Sequence, residues 1–235
     1  MIDTAIIYTR TNSKRLNKKS LLPIYKNKSL IEKVVENTLR IKSINRIILA
    51  TTNSKEDKIY EKLLKNYNIN YFYGSTNNLI QRTIKCSKKY SFNYFLRVCG
   101  DRPFFSHIHI DKIISNFNKR KFLNYDLMSN NKKNKIVDQG LTIEILSAKS
   151  LEKLYLNKKL SKYNLENITS YFYENSKNFN MYYCKSPKNW FLNNKYTIDN
   201  FQDLEKMRKI ILSIGYKTFN INKANNIIKK NDSEN

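Results

Sequence analysis

The sequence is poor in the residues that mark several common architectures. It has four glycines and three prolines, too few for long flexible linkers. Neither a Walker loop nor a G-x-G-x-x-G turn occurs, which excludes both glycine-built phosphate cradles. Three cysteines, Cys86, Cys99 and Cys184, are odd in number and far apart. They supply neither a disulfide framework nor a zinc spacing, and they point to a reducing compartment. Cys99 has no histidine near it in sequence to activate a thiolate and reads as inert. The two histidines, His107 and His109, fall on different faces of a helix, so a helix-start or surface role suits them better than joint metal ligation. No apolar run approaches the length of a membrane span. The first residues lack a basic start followed by a long apolar stretch, so no secretory leader is expected. These absences together lead us to expect a cytoplasmic protein.

Acidic residues are scarce as well. Nineteen Asp and Glu stand against forty-four Lys and Arg, a formal charge of +25. Such a surplus would suit a nucleic-acid binder. Here, however, Lys, Asn, Ile and Tyr are abundant throughout the chain, and the lysines are scattered rather than gathered into a stripe. Non-specific attraction to polyanions at low salt is expected, but a specific nucleic-acid partner is not.

What is present is an alternation of strand and helix patterns over 235 residues, a length that can bury a substantial core as one domain. Ala5-Ile-Ile-Tyr8 reads as a first buried strand. Ser29 can cap a helix with Ile31, Val34, Val35, Thr38 and Leu39 on one face. Arg46-Ile-Ile-Leu-Ala-Thr-Thr52 is a second strand, and Ser54 with Asp57 starts a second helix, whose inward stripe is Ile59, Leu63, Leu64 and Tyr67. Asn70-Tyr-Phe-Tyr73, closed by Gly74, is a third strand, followed by a helix from Asn77 to Lys89. Tyr94 to Val98 is a fourth, followed by a helix marked by Ile110, Ile113, Ile114 and Phe117. Strands separated by helices predict an α/β fold with a mainly parallel twisted sheet flanked by helices.

From Asn118 the pattern changes. Residues 130–135 read as an exposed loop, Leu141 to Leu146 alternates like a half-exposed strand, and helical signals return at Ser150–Leu156 and Leu165–Tyr173. The stretch 121–190 is therefore read as a smaller α+β excursion within a single 1–235 domain. Its aromatic pieces, including Tyr171 to Tyr173, Tyr182, Tyr183 and Trp190, suit packing or an interface between subunits. The core pattern then resumes with a short strand, Tyr196 to Asp199. A helix follows through Phe201, Leu204, Met207 and Ile211, ended by Gly215, and then a polar, frayed tail after Ile227.

Three strand ends carry the chemistry. The first strand runs into Arg10-Thr-Asn-Ser-Lys-Arg-Leu-Asn-Lys-Lys19, where Arg10, Ser13, Lys14, Arg15, Lys18 and Lys19 gather cations and hydroxyls. Such cations repel one another unless water or a polyanion screens them, and ligands of open α/β sheets sit at the carboxyl ends of strands. This loop is expected to grip a nucleoside triphosphate, although cationic loops of this kind are also often simply solvated. Cys99-Gly-Asp-Arg-Pro103 ends the fourth strand, with Gly100 permitting close backbone approach. Thr197-Ile-Asp-Asn200 places a second carboxylate at a strand end. Asp101 and Asp199, facing the cationic loop, would suit Mg2+ bound to a triphosphate.

Taken in order, these stretches resemble the cytidylyltransferase family that makes CMP-activated sugar acids. The resemblance is strongest to the branch that includes spore-coat polysaccharide biosynthesis proteins. The family's first loop, R-x-G-S-x-R-L-P-x-K, is met by Arg10, Ser13, Arg15, Leu16 and Lys19. Its G-D-x-P turn is met by Gly100, Asp101 and Pro103. Its T-V-D-x-x-E-D-L-E is met by Thr197 to Glu205. The branch's G-S-x-x-x-V-L-x-R appears as Gly74 to Arg82, and its G-L-D-V-E as Gly140 to Glu144.

The resemblance implies a Rossmann-like nucleotidyltransferase fold. It implies that Arg15 and Lys19 bind the β- and γ-phosphates of CTP, with Arg10 and Ser13 shaping the loop, and that Asp101 and Asp199 hold Mg2+. It places Ser75 to Arg82, including both named ends, along cytosine and ribose. The implied catalytic set is Arg15, Lys19 and Asp101. The sugar hydroxyl would attack the α-phosphate and release pyrophosphate, and a homodimer is implied.

Asn12 and Asn17 replace the family's Gly and Pro; Asn tolerates left-handed backbone, while Asn17 gives up proline's rigidity. Gln81, Cys99, Arg102, Thr142 and Asn167 also depart from the pattern, all on the acceptor side. These changes leave open a divergent relative that binds nucleotide or sugar without catalysis.

Overall fold

A computed structural model describes residues 1–13, 15–119, 124–132 and 136–233. The expected cation Lys14 and residues 133–135 of the expected exposed loop lie outside the described residues. A seven-stranded sheet forms the centre. Its strands are β1 (Ile2–Tyr8), β4 (Arg46–Thr52), β5 (Asn70–Gly74), β6 (Tyr94–Cys99), β7 (Leu127–Ser129), β8 (Glu144–Ser147) and β9 (Met181–Tyr183), in the order β5-β4-β1-β6-β8-β7-β9. The remaining strands β2 (Pro23–Tyr25) and β3 (Lys28–Ser29) form a small hairpin. Strands β5, β4, β1 and β6 run parallel, as do β7 and β9, whereas β8 is antiparallel to both its neighbours.

The central strands β1 and β4 carry apolar runs, Ala5–Ile7 and Ile47–Ala50, because both their faces are covered, whereas the edge strand β5 is partly exposed. Side chains alternate between faces, so Ile7, Leu49 and Leu96 join one buried cluster while Ile6, Ile48 and Phe95 join the other. The first cluster takes the inward stripes of α1 (Leu30–Leu39), α4 (His107–Asn118), α8 (Phe201–Ile214) and α9 (Ile221–Ser233). The second takes those of α3 (Leu79–Tyr90), α5 (Ala148–Asn157) and α7 (Ser170–Glu174). Between α5 and α7 lies the short α6 (Lys162–Glu166), so the helical signal expected at 165–173 is two pieces joined by a break. The segment 121–190 contributes β7, β8 and β9 to the sheet.

Helix starts follow their caps. Ser29 and Glu32 form a reciprocal capping box at α1, Asn78 caps α3, and Asn200 with Asp203 does the same at α8. Several expectations need correction. The second helix is a 3-10 turn, Glu56–Lys58, followed by α2 (Ile59–Leu63). Its buried residue is Tyr60, while Ile59 is 40% exposed; the hydrophobic pattern was compatible with a register one residue away. Leu39 and Phe201 are exposed because they are the last residue of α1 and the first of α8, beyond stripes that are otherwise buried as expected. Residues 196–199 form no strand; a single bridge from Lys195 to Gln139 stands there instead. The tail after Ile227 is helical as far as Ser233 because Ile221, Ala224 and Ile228 are buried. Trp190 is a core residue packed edge-on to His109 and Phe219.

The half-exposed strand expected at 141–146 is buried on both faces. Its polar member, Glu144, sits directly opposite Arg97 of β6 in the antiparallel register, and the two form an ion pair. Tyr173 Oη donates to the other Glu144 oxygen at 3.0 Å. The apparent alternation therefore marks an internal charge pair rather than a wet face.

Candidate active site

The parallel strands β1, β4, β5 and β6 end on one rim of the sheet, and the candidate residues gather there. A cavity of about 480 Å³ is lined by Arg10, Ser13, Arg15, Lys19, Arg82 and Asp101, among others. Gly100 lets this rim close: a Cβ on it would stand 2.9 Å from Thr9 Cβ and 3.0 Å from the Tyr8 carbonyl oxygen. The close approach that needs glycine in this structure is to the end of β1, and Gly100 also lines the cavity. Its N–H donates to the Tyr8 carbonyl at 2.8 Å, which sets Asp101 just beyond the end of β6.

Asp199 reaches the same place through the backbone. The Ile198 N–H donates to the Asp101 carbonyl at 3.0 Å, joining two turns that are remote in sequence. The Asp199 N–H then donates to Asp203 Oδ2 at 2.8 Å, so the α8 cap orients the residue before it. Lys19 Nζ lies 2.9 Å from Asp101 Oδ2 and 3.7 Å from Asp199 Oδ1, and donates to the Ile198 carbonyl at 2.8 Å. Arg15 Nη2 is 2.7 Å from Asp199 Oδ1, and Lys195 Nζ is 3.1 Å from Asp199 Oδ2. Arg15 remains 69% exposed, whereas Lys19 is only 15% exposed. Burial would raise the Asp199 carboxyl, but Lys195, Lys19 and Arg15 outweigh it and hold the group below the usual carboxylate range.

The other sequence candidates fall differently. Ser75 does not line the cavity; its Oγ caps the Asn78 N–H, and its carbonyl accepts from Arg82 Nε and Nη2 at 2.9 and 2.6 Å. Arg82 is buried against Gly74 and pushed down to about 10 by that burial. Asn12 does not take the left-handed backbone; in this loop Lys18 does, at φ 51°. Cys99 lines the cavity, and Arg102 and Thr142 lie beside it around a small recess behind Arg97. Gln81 sits in the capped first turn of α3, and Asn167 ends α6.

Four contributors were missed in sequence. Arg97 and Glu166 line the cavity, Lys195 completes the cation set around Asp199, and Asp57 lies fully buried beneath the loop. The cap signal of Ser54 with Asp57 is half met: Ser54 Oγ accepts the Asp57 N–H at 3.3 Å, while the Asp57 carboxylate serves Thr11, Thr51 and Thr52. The better signal was three hydroxyl residues, Thr11, Thr51 and Thr52, at two neighbouring strand ends, since buried hydroxyls require an acceptor.

Asp57 and Glu144 also have depressed carboxyls. For each, burial pushes upward; hydrogen bonds from Thr11, Thr51 and Thr52 outweigh it for Asp57, and Arg97 outweighs it for Glu144. Folded values below an unfolded value of about 4 make their stabilisation complete at neutral pH and lost as pH falls below about 5. The urea midpoint is therefore expected to fall markedly between about pH 5 and pH 3. A midpoint unchanged over that interval would contradict the depressed values.

A mainly parallel sheet with cations and paired carboxylates on its carboxyl rim suits a site for a metal-bound polyphosphate, as nucleotidyltransferases have. The comparisons agree. The cytidylyltransferase family profile matches residues 4–231, and the chain belongs to that family. An uncharacterized protein of Methanocaldococcus jannaschii is 35% identical over 203 residues, covering 85% of this chain and 79% of that protein. The spore coat polysaccharide biosynthesis protein SpsF of Bacillus subtilis is 23% identical over 216 residues, covering 89% and 86%. The solved structure of a cytidylyltransferase from Leptospira borgpetersenii superposes with a TM-score of 0.86 at 26% identity, covering 99% of this chain and 95% of that one. Among the described residues, no helix is long and apolar enough to cross a membrane.

Proposed function

We propose that this chain transfers CMP from CTP to the hydroxyl of a sugar, an acidic one, releasing pyrophosphate for assembly of a cell-surface polysaccharide. One observation carries the reading: two carboxylates remote in sequence, Asp101 and Asp199, meet at the ammonium of Lys19 in the first loop. The similarity to SpsF supports the polysaccharide context.

The donor set fits a divalent cation. Asp101 and Asp199 present hard oxygens, and the Lys19 ammonium already occupies a cation's place between them. Mg2+ is commonly held by one or two carboxylates with phosphate oxygens and water. Bound there, Mg2+ would neutralise charge on the triphosphate. The chain's own residues do the rest. Arg15 and Lys19, now paired with carboxylates, turn to the β- and γ-phosphates and stabilise the departing pyrophosphate. Arg10 and Ser13 face the same anion from the cavity wall, and the cytosine and ribose lie along Thr76, Leu79 and Arg82, the members of the Ser75–Arg82 segment that line the same cavity. Asp101 and Asp199 lose their lysine and arginine partners only when an anion takes those cations, which couples metal and triphosphate binding.

Cytoplasmic location and a homodimer belong to the same reading; the exposed Ile136, Leu156 and Tyr163 of the 121–190 segment are its candidate dimer contacts. The test is pyrophosphate release from CTP with a panel of sugars. Release is expected with MgCl2, abolished by EDTA and restored by excess Mg2+. No release with any sugar, combined with no CTP binding, would overturn the proposal.

A further inference from the structure

The triphosphate loop lacks both glycine and proline between Thr9 and Ser20, so its shape is not fixed by backbone chemistry of its own. It is fixed from outside. Asp57 Oδ1 accepts the Thr11 N–H at 2.8 Å and the Thr11 hydroxyl at 2.6 Å. Its Oδ2 accepts the Thr51 hydroxyl at 2.6 Å, the Thr52 N–H at 3.0 Å and the Thr52 hydroxyl at 2.5 Å. One carboxylate thus ties the start of the loop to the end of β4. The Thr11 carbonyl in turn accepts the Ser13 and Lys18 N–H groups at 2.9 and 3.0 Å, so both limbs of the loop hang from Thr11. One turn further along, the Tyr60 hydroxyl bonds Ser20 at 2.7 Å and Thr9 at 3.2 Å. Asp57 and Tyr60 are both wholly buried.

We propose that the 56–60 turn is a clamp on this loop, with Asp57 and Tyr60 as positioning residues that set where Arg15 and Lys19 stand. The role in nucleotide binding rests on the triphosphate reading given above. The physical case is preorganisation. A free loop carrying this many cations would splay, and ordering it on binding would cost affinity. The clamp orders it beforehand, and the Asp57 carboxylate beneath it offsets part of the cation repulsion.

Two variants separate positioning from fold maintenance. Tyr60→Phe deletes the hydroxyl and keeps the ring in the core. Asp57→Asn replaces one acceptor oxygen with a donor, so either Thr11 or the Thr51–Thr52 group loses its acceptor. Amide hydrogen exchange over 11–20 is expected to quicken about tenfold in each, while β1 and β4 stay within about twofold. CTP affinity should fall about tenfold, and affinity for CMP, which lacks the β- and γ-phosphates, should change less than about twofold. Unchanged loop exchange in the folded variants would overturn the proposal. So would faster exchange across the whole sheet, which would reduce both groups to props of the fold. If Asp57→Asn fails to fold, Tyr60→Phe decides. If the wild-type protein binds no CTP, the triphosphate reading fails, and the exchange data alone decide whether the turn holds the loop.

Discussion

Asp101→Asn is expected to lower the rate of pyrophosphate release about a thousandfold or more, because losing a metal-holding carboxylate removes several kcal/mol of charge stabilisation in the transition state. The side chain is small and partly exposed, and among the described residues it pairs with Lys19. The fold should therefore lose less than about 1 kcal/mol. A second consequence distinguishes this from general damage. With one fewer anion facing the triphosphate, metal-free CTP should bind at least as tightly as before. The pair of measurements is steady-state pyrophosphate release and calorimetric titration with CTP in EDTA. A rate within about tenfold of wild type would remove Asp101 from the mechanism.

Arg97→Met is expected to destabilise the protein by about 3–5 kcal/mol, the usual cost of leaving one member of a buried ion pair alone. Arg97 and Glu144 face each other across adjacent strands in the sheet interior, with side chains 12% and 4% exposed. Tyr173 depends on the same carboxylate, and its hydroxyl also bonds Ser129. Burial raises the Tyr173 hydroxyl strongly, and Glu144 raises it further, so it stays a proton donor to Glu144. Arg97 Nε has no hydrogen-bond partner among the described residues, so the pair is held by charge more than by a complete bond set. Glu144→Gln should be destabilising too, and the double variant should recover part of the loss. Urea unfolding at pH 7 measures all three. A loss below about 1 kcal/mol for Arg97→Met would mean that Glu144 simply takes up a proton instead.

Much of the fold is legible along the chain because its signals are local. The run Ile47-Ile-Leu-Ala50 is apolar at every position, and its shortness and β-branched content suit a strand covered on both faces. Ser29 announces a helix start locally, and in the structure it caps α1 together with Glu32. The misread pieces fail where the local signal is ambiguous by one position. Ile59 and Tyr60 are both apolar enough to face inward, and only the neighbouring Ser20 and Thr9 hydroxyls select Tyr60. In Leu141 to Leu146, alternation suggests a face turned to solvent. The polar position turned out to face a charge on a strand far away in sequence.

The amino-acid order by itself determined the layered α/β class, the first helix cap, the cation-rich first loop and the two carboxylates, Asp101 and Asp199, that the fold brings to it. Those depend on contacts within a few residues. The tertiary structure alone decided that β8 lies beside β6, so that Glu144 meets Arg97. It decided that the Ile198 N–H bonds the Asp101 carbonyl, so that two carboxylates share Lys19. It also decided that Asp57 turns away from its own helix to hold Thr11. Each is a pairing between distant segments, fixed by strand order and by the need of buried polar groups for partners, and no periodicity along the chain encodes which distant partner that is.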